Sequence, residues 1–208
     1  MAMALVKTSE DFISEEEYLA GEKISDKKYE YIDGKVYAMA GTSKNHNRII
    51  RNIMIGLESA FTKNKSPCET FSSDIKVKIS KPNNRFYYPD VVVTCDESND
   101  ENDYYTDNPI LIVEVLSKST DKMDKTMKMK DYLNMPSLQE YVLIEQNRCE
   151  IQVMRRCEHW QSFFYFLDDE IHFSSINISL SVADIYYQVN NSDMLSFQKT
   201  ESDTKILP

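Results

Sequence analysis

One carboxylate stands inside an apolar run: Ile110-Leu-Ile-Val-Glu-Val-Leu116 sets Glu114 between Val113 and Val115. A segment this apolar is the pattern of a strand covered on both faces. An ionised carboxylate buried there without a partner costs several kcal/mol. The chain must therefore fold so that a cation, a basic side chain or a metal meets Glu114. Asp90 follows Pro89, heads the run Val91-Val-Val93 and lies 24 residues before Glu114. Two carboxylates on neighbouring strands can converge on a divalent cation, the hard-oxygen environment Mg²⁺ takes. A buried Arg or Lys would satisfy the same carboxylate as a structural ion pair, and the pattern by itself leaves both readings open.

The rest of the chain supplies a framework for such strands. Ser14 with Glu17 is a capping-box pattern that starts a short helix. Asp33-Gly34 between Tyr29–Ile32 and Lys35–Met39 predicts a hairpin, since both turn residues tolerate positive φ. A helix is predicted from Thr42 or Ser43 to about Thr62, with Ile49, Ile50, Ile53, Leu57, Ala60 and Phe61 as its apolar stripe and His46 on the same face. Strands are expected over 74–79, with Lys76 and Lys78 on a solvated face, and over 86–95, 110–116 and 141–144. The segment 96–108 reads as a polar loop and 120–133 as a second helix stopping before Pro136. A hairpin around Glu158-His159 and a short helix over 181–187 close the domain. This order predicts an α/β fold, a central mixed sheet flanked by helices, as one domain over 1–190 with a polar, flexible tail over 191–208.

Composition narrows the function classes. The 208 residues are 41% hydrophobic and 28% charged, enough to build a core without staples. No apolar run reaches membrane-span length and the N-terminus turns acidic early, so a cytoplasmic protein without membrane attachment is expected. Cys68, Cys95, Cys149 and Cys157 show no CxxC pair, which indicates neither a zinc site nor a disulfide framework, and Cys95 reads as a small core hydrophobe. The net charge of −10 repels nucleic acid at long range, yet Lys118–Lys130 carries five Lys against two Asp.

Several elements occur in order: Tyr29-Glu-Tyr-Ile-Asp-Gly-Lys-Val36, Met39-Ala-Gly41 with His46, Tyr88-Pro-Asp-Val-Val-Val93, Leu111-Ile-Val-Glu-Val-Leu-Ser117, Asp124 with Lys128 and Tyr132, and Glu140-Tyr-Val-Leu-Ile144. Over roughly residues 12 to 188 this set resembles the Uma-type family of "putative restriction endonucleases", within the PD-(D/E)XK nuclease superfamily. The resemblance implies a restriction-endonuclease-like fold and Mg²⁺-dependent (or Mn²⁺-dependent) hydrolysis of DNA, with a homodimer as the expected assembly. Asp90 and Glu114 match the acidic residues of the motif and would ligate the metal, with the Val115 backbone carbonyl as a further ligand. The chain departs from the superfamily at Leu116, where the motif's Lys should stand. Lys128, where the family pattern places a Lys, is the candidate replacement, orienting the attacking water and stabilising charge on the phosphate. The alternative for Lys128 is an i, i+4 pair with Asp124 on a solvated helix face.

Glu30, His46 and Ser117 are supporting candidates: Glu30 and His46 by family position, Ser117 as a donor orienting Glu114. Each has a plain structural alternative, in a surface strand residue, a satisfied core histidine and the start of a turn. At the level of the whole chain, Leu116 and the acidic charge favour a second reading, a catalytically inactive nuclease fold binding nucleic acid or protein. Hydrolysis of another phosphate substrate is a third.

Overall fold

The computed structural model describes residues 12–39, 41–80, 84–95, 103–117 and 124–197, with the backbone of 6–7. Strand β1 (Val6–Lys7) is followed by α1 (Glu15–Glu22). Ser14 caps α1: its hydroxyl accepts from Glu17 N while the Glu17 carboxylate accepts from Ser14 N, the reciprocal box the sequence predicts. The hairpin β2 (Tyr29–Ile32) and β3 (Lys35–Ala38) turns at Asp33 and Gly34, whose φ values of 49° and 84° fit a type I′ turn. Helix α2 (Lys44–Asn64) starts at Ser43, whose hydroxyl accepts from His46 N, and ends on Lys65 in the left-handed region.

Next come β4 (Glu69–Ser72), β5 (Lys76–Ile79), β6 (Arg85–Tyr87), β7 (Val91–Thr94), β8 (Tyr105–Thr106) and β9 (Leu111–Leu116). A single π-helical turn (Asp124–Lys128) runs into α3 (Met129–Leu133), then β10 (Glu140–Glu145) and β11 (Ile151–Arg155). The chain continues through β12 (Ser162–Tyr165), β13 (Glu170–Phe173), β14 (Ile178–Ser181) and α4 (Val182–Ile185).

The predicted α/β, restriction-endonuclease-like architecture is present, with its strands divided among more than one sheet. One mixed six-stranded sheet has the order β12-β11-β10-β9-β7-β4, and β9 and β10 are its parallel neighbours. A second runs β1-β3-β2-β6-β5-β8, and β13-β14 forms a separate ribbon. Residues alternate across β9. Leu111, Val113 and Val115 join the core under α2, with Ile49, Ile53, Leu57 and Phe61, each burial worth about 1.5–3 kcal/mol. Ile112 and Leu116 face the other way, into a core shared with Ile32, Val77 and Tyr87 of the second sheet and Tyr132 of α3. Glu114 has the parity of that second face.

Several expectations are corrected. The stretch 86–95 is not one strand: Pro89 lacks an N–H for the ladder, and the chain leaves the second sheet after Tyr87 to enter the first at Val91. Lys76 is buried rather than solvated, because β5 lies between β6 and β8. Residues 105–106 of the expected loop pair with β5. Cys68 and Cys95 form a disulfide, one register step beyond the pair Glu69↔Thr94 that sets β4 against β7. The first turn of the expected flexible tail is docked: Met194 is buried in the α2 core and the Asp193 carboxylate accepts from Cys149 N. Residues 198–208 and 118–123, the latter opening the predicted second helix, lie outside the described residues. Among the described residues no helix is long and apolar enough to cross a membrane.

Candidate active site

The partner that Glu114 requires is Lys128. Its ammonium lies 2.8 Å from Glu30 Oε1, 3.5 Å from Glu114 Oε1 and 3.5 Å from Asp124 Oδ1. Each of these residues is at most 3% exposed. The i, i+4 pair with Asp124 therefore exists, but inside the protein rather than on a solvated face. Four elements contribute. Strand β9 presents Glu114, and β2 of the second sheet presents Glu30, whose Oε1 also accepts from Tyr88 N at 3.1 Å. The π-helical turn carries Asp124 and Lys128; its wider winding is a common local adjustment at sites that must re-aim a side chain. Tyr141 on β10 anchors that turn by donating to the Asp124 carbonyl at 3.1 Å.

Asp90 sits at the crossing between the sheets. The pairs Val91↔Val113 and Val92↔Ile112 set position 90 opposite position 114 one step further on. Asp90 Oδ2 accepts from Val115 N at 2.7 Å and faces His46 Nε2 at 3.2 Å. His46 thus points inward from the first turn of α2, as its place on the apolar stripe predicts. Ser117 is buried just beyond β9. Leu116 packs in the apolar core between the sheets, so no lysine stands at the superfamily position.

The cluster has more negative than positive charge. One ammonium serves three buried carboxylates, with Asp90 close enough to act on Glu114 as well. Burial is the largest influence on Glu114 and holds its carboxyl well above the usual range; Lys128 pulls it down, while Asp124, Asp90 and Glu30 push it up. Glu30 is raised for the same first reason, again against the pull of Lys128. Burial alone would lower Lys128, but Glu114, Glu30 and Asp124 outweigh it and keep the ammonium charged well beyond its ordinary range. Asp90 Oδ1, Glu30 Oε2 and His46 Nδ1 are among the buried polar atoms that have no hydrogen-bond partner among the described residues. Orphans of this kind call for water, protons or an ion.

Sequence reasoning gave the tyrosines of this site no role, although Tyr132 stands in the family pattern. Tyr132 OH donates to Glu114 Oε1 at 3.4 Å, and the Tyr87 ring lies 5.6 Å beneath the Lys128 ammonium. Tyr132 stands one turn after Lys128, which was the available signal. Gln146 was also missed; it ties the end of β9 to the start of α2 by donating to the Leu116 carbonyl at 2.8 Å and accepting from Ser43 at 2.6 Å.

Two uncharacterized proteins of Synechocystis, slr1290 and sll1609, are each 36% identical to this chain, over 178 and 163 residues. The alignments cover 84% and 76% of this chain and 91% and 85% of those proteins. A crystal structure described as a putative nuclease from Anabaena variabilis is similar with a TM-score of 0.67 at 19% identity, covering 84% of this chain and 98% of that one. At that identity the likeness concerns the fold. Residues 15–183 match the Uma2 family, described as "Putative restriction endonuclease", and the chain belongs to that family.

Proposed function

We propose that this protein is a Mg²⁺- or Mn²⁺-dependent endonuclease that hydrolyses DNA phosphodiester bonds at the Asp90–Glu114–Lys128 cluster. The observation that carries the reading is Lys128: a helix delivers one buried ammonium to Glu114 and Glu30 beside carboxylate oxygens that have no partner. The donor set suits a hard divalent cation, and Asp90, Glu114 and the Val115 carbonyl would hold it. When bound, such an ion supplies Lewis-acid charge at the phosphate and makes a water nucleophilic near neutral pH. The protein's own groups do the rest. The Val115 N–H fixes Asp90 through Oδ2 and leaves Oδ1 to accept. Lys128 is a fixed positive charge for the negative charge that develops on the phosphate. Glu30 positions that ammonium, His46 steadies Asp90, and Ser117 supports Glu114 at the strand end. The expected assembly is a homodimer, with one such site in each protomer.

A second reading, a nuclease fold acting as a binding module, is favoured by a specific observation. Lys128 already pairs with Glu30 and Glu114 at 2.8 and 3.5 Å, which compensates those carboxylates without a metal. Calorimetric titration of Mn²⁺ and Mg²⁺ into wild type, Asp90→Asn and Glu114→Gln separates the two. Binding in wild type that both variants lose, followed by plasmid cleavage that Lys128→Ala abolishes, supports the nuclease. Wild type that neither binds metal nor cleaves supports the binding module.

A further inference from the structure

The buried cluster is not the part of this molecule best suited to grip a nucleic-acid strand. Beside it run two cavities, of about 650 and 310 Å³, which share Lys27, Lys28 and Asp74 as common walls. The larger is lined by sequence neighbours of residues in and beside the cluster. Its lining residue Ser72 pairs with Val91, the neighbour of Asp90 in the chain, and its lining residue Asn47 follows His46, the side chain against Asp90. The smaller is walled by Tyr88, Tyr104 and Tyr105.

Charge in this groove runs against the charge of the whole chain. Five cationic side chains line the two cavities against three carboxylates, in a protein of net charge −10. Lys28 is engaged by Asp74, and Lys76 lies 4.0 Å from Glu22. Lys23, Lys27 and Arg51 have no carboxylate partner among the described residues. Lys23 instead sits over the Tyr104 ring at 5.4 Å, and Arg51 hydrogen-bonds the side-chain oxygens of Asn52 and Gln188. Tyr104 is 54% exposed, a large ring held at a cavity mouth under a cation. Cations that follow a groove, with an aromatic face on which a base can stack, are the combination that binds unpaired strands. A duplex keeps its base faces covered and has no use for such a ring.

We infer that this groove is a single-strand track: Lys23, Lys27 and Lys28 bind successive phosphates, Tyr104 stacks one unpaired base, and the strand passes Ser72 toward Asp90. This rests on the nuclease reading for its direction, and its test does not depend on cleavage. The test is fluorescence anisotropy of a labelled oligothymidylate and of a duplex of equal length, in chelator, over a salt series. Wild type binds the single strand more tightly than the duplex. Replacing Lys23, Lys27 and Lys28 together by Ala lowers the slope of log K against log salt by about 2, since each lost phosphate contact on a single strand removes about 0.7. Tyr104→Ala weakens single-strand binding by roughly 5- to 150-fold, Tyr104→Trp restores it, and Lys63→Ala on the far end of α2 changes nothing.

Unchanged slopes in the triple variant, unchanged affinity in Tyr104→Ala, tighter binding of the duplex, or no binding of either probe would overturn the track. Any of these with metal binding and plasmid cleavage intact leaves the nuclease reading standing alone. The expected binding pattern in a protein that binds no metal and cuts nothing leaves the track standing alone.

Discussion

Replacing Lys128 by Met keeps most of the side-chain volume and removes the only charge the three carboxylates share at close range among the described residues. Removing one partner of a buried ion pair costs about 3–5 kcal/mol, because the other charge is left uncompensated. In a domain of this size that lowers Tm by about 6–20 °C. Protonation can relieve the cost, which gives the substitution a pH signature. Burial already holds Glu114 and Glu30 above the usual carboxylate range, and Lys128 is the largest influence pulling each down. Without it both carboxyls rise further. A carboxyl raised in the folded state binds more protons folded than unfolded, so its stability is present at low pH and lost as pH climbs through the folded pKa. The deficit of Lys128→Met against wild type should therefore be small near the unfolded carboxyl value and widen upward, by at most about 1.4 kcal/mol per pH unit for each proton involved. Urea unfolding of both proteins at about pH 5 and about pH 8 reads this directly. A deficit under about 1 kcal/mol at the higher pH, or one that shrinks as pH rises, would refute the charge assignment.

Three further outcomes follow from the same geometry. Asp90→Asn retains an oxygen for the Val115 N–H, so stability changes by about 1 kcal/mol or less while metal binding and cleavage disappear; a variant that still cleaves as wild type places the site elsewhere. Reducing the Cys68–Cys95 bridge, 27 residues apart, costs about 3–4 kcal/mol by loop-closure entropy, and alkylation before reduction labels the exposed Cys157 in preference to the buried Cys149, whose thiol burial pushes up to about 11. Unfolding curves that coincide with and without reductant would contradict this. Arg155→Met strands the fully buried Glu140, held at 2.9 Å by Arg155 Nε, and costs about 3–5 kcal/mol, while Arg155→Lys recovers only part because it cannot also reach Tyr165 and the His172 carbonyl; full recovery by Lys in chemical denaturation would contradict the multidentate role.

Local chemistry made the helices and the first hairpin readable. Ser14, Ser43 and the Asp33-Gly34 turn each state a boundary in their own few residues, and the structure places α1, α2 and the β2–β3 hairpin accordingly. What failed depended on distant partners. Strand β4, Glu-Thr-Phe-Ser, is neither apolar nor alternating and exists because β7 offers it a ladder. The same pairing brings Cys68 to Cys95, which no spacing along the chain announces. Lys76 alternates with apolar neighbours as a solvated residue would, but β8 adds to that edge and Tyr88 and Glu22 close over the side chain. The break at Pro89 was visible as a residue that cannot donate to a ladder, and weighing it against the apolar run on either side would have divided 86–95 correctly.

The site was legible where burial made a demand. Glu114 in its apolar strand required a partner, and the resemblance to the Uma-type family pointed to Lys128, a residue that the strand does not carry. On β9 the position two residues on, Leu116, shares the face of Glu114 and lies in the core between the sheets. Any ammonium at 116 would have to escape that apolar packing. At 128 the ammonium enters from a helix, past the Tyr87 ring, and meets Glu114 together with Glu30 from the opposite sheet. The two arrangements bring the same charge to the same carboxylate from different elements. The second also ties both sheets to the helix through one side chain. Geometry around Glu114, rather than spacing along β9, is therefore what brings a lysine to this carboxylate, and Leu116 is a packing residue of the core between the sheets.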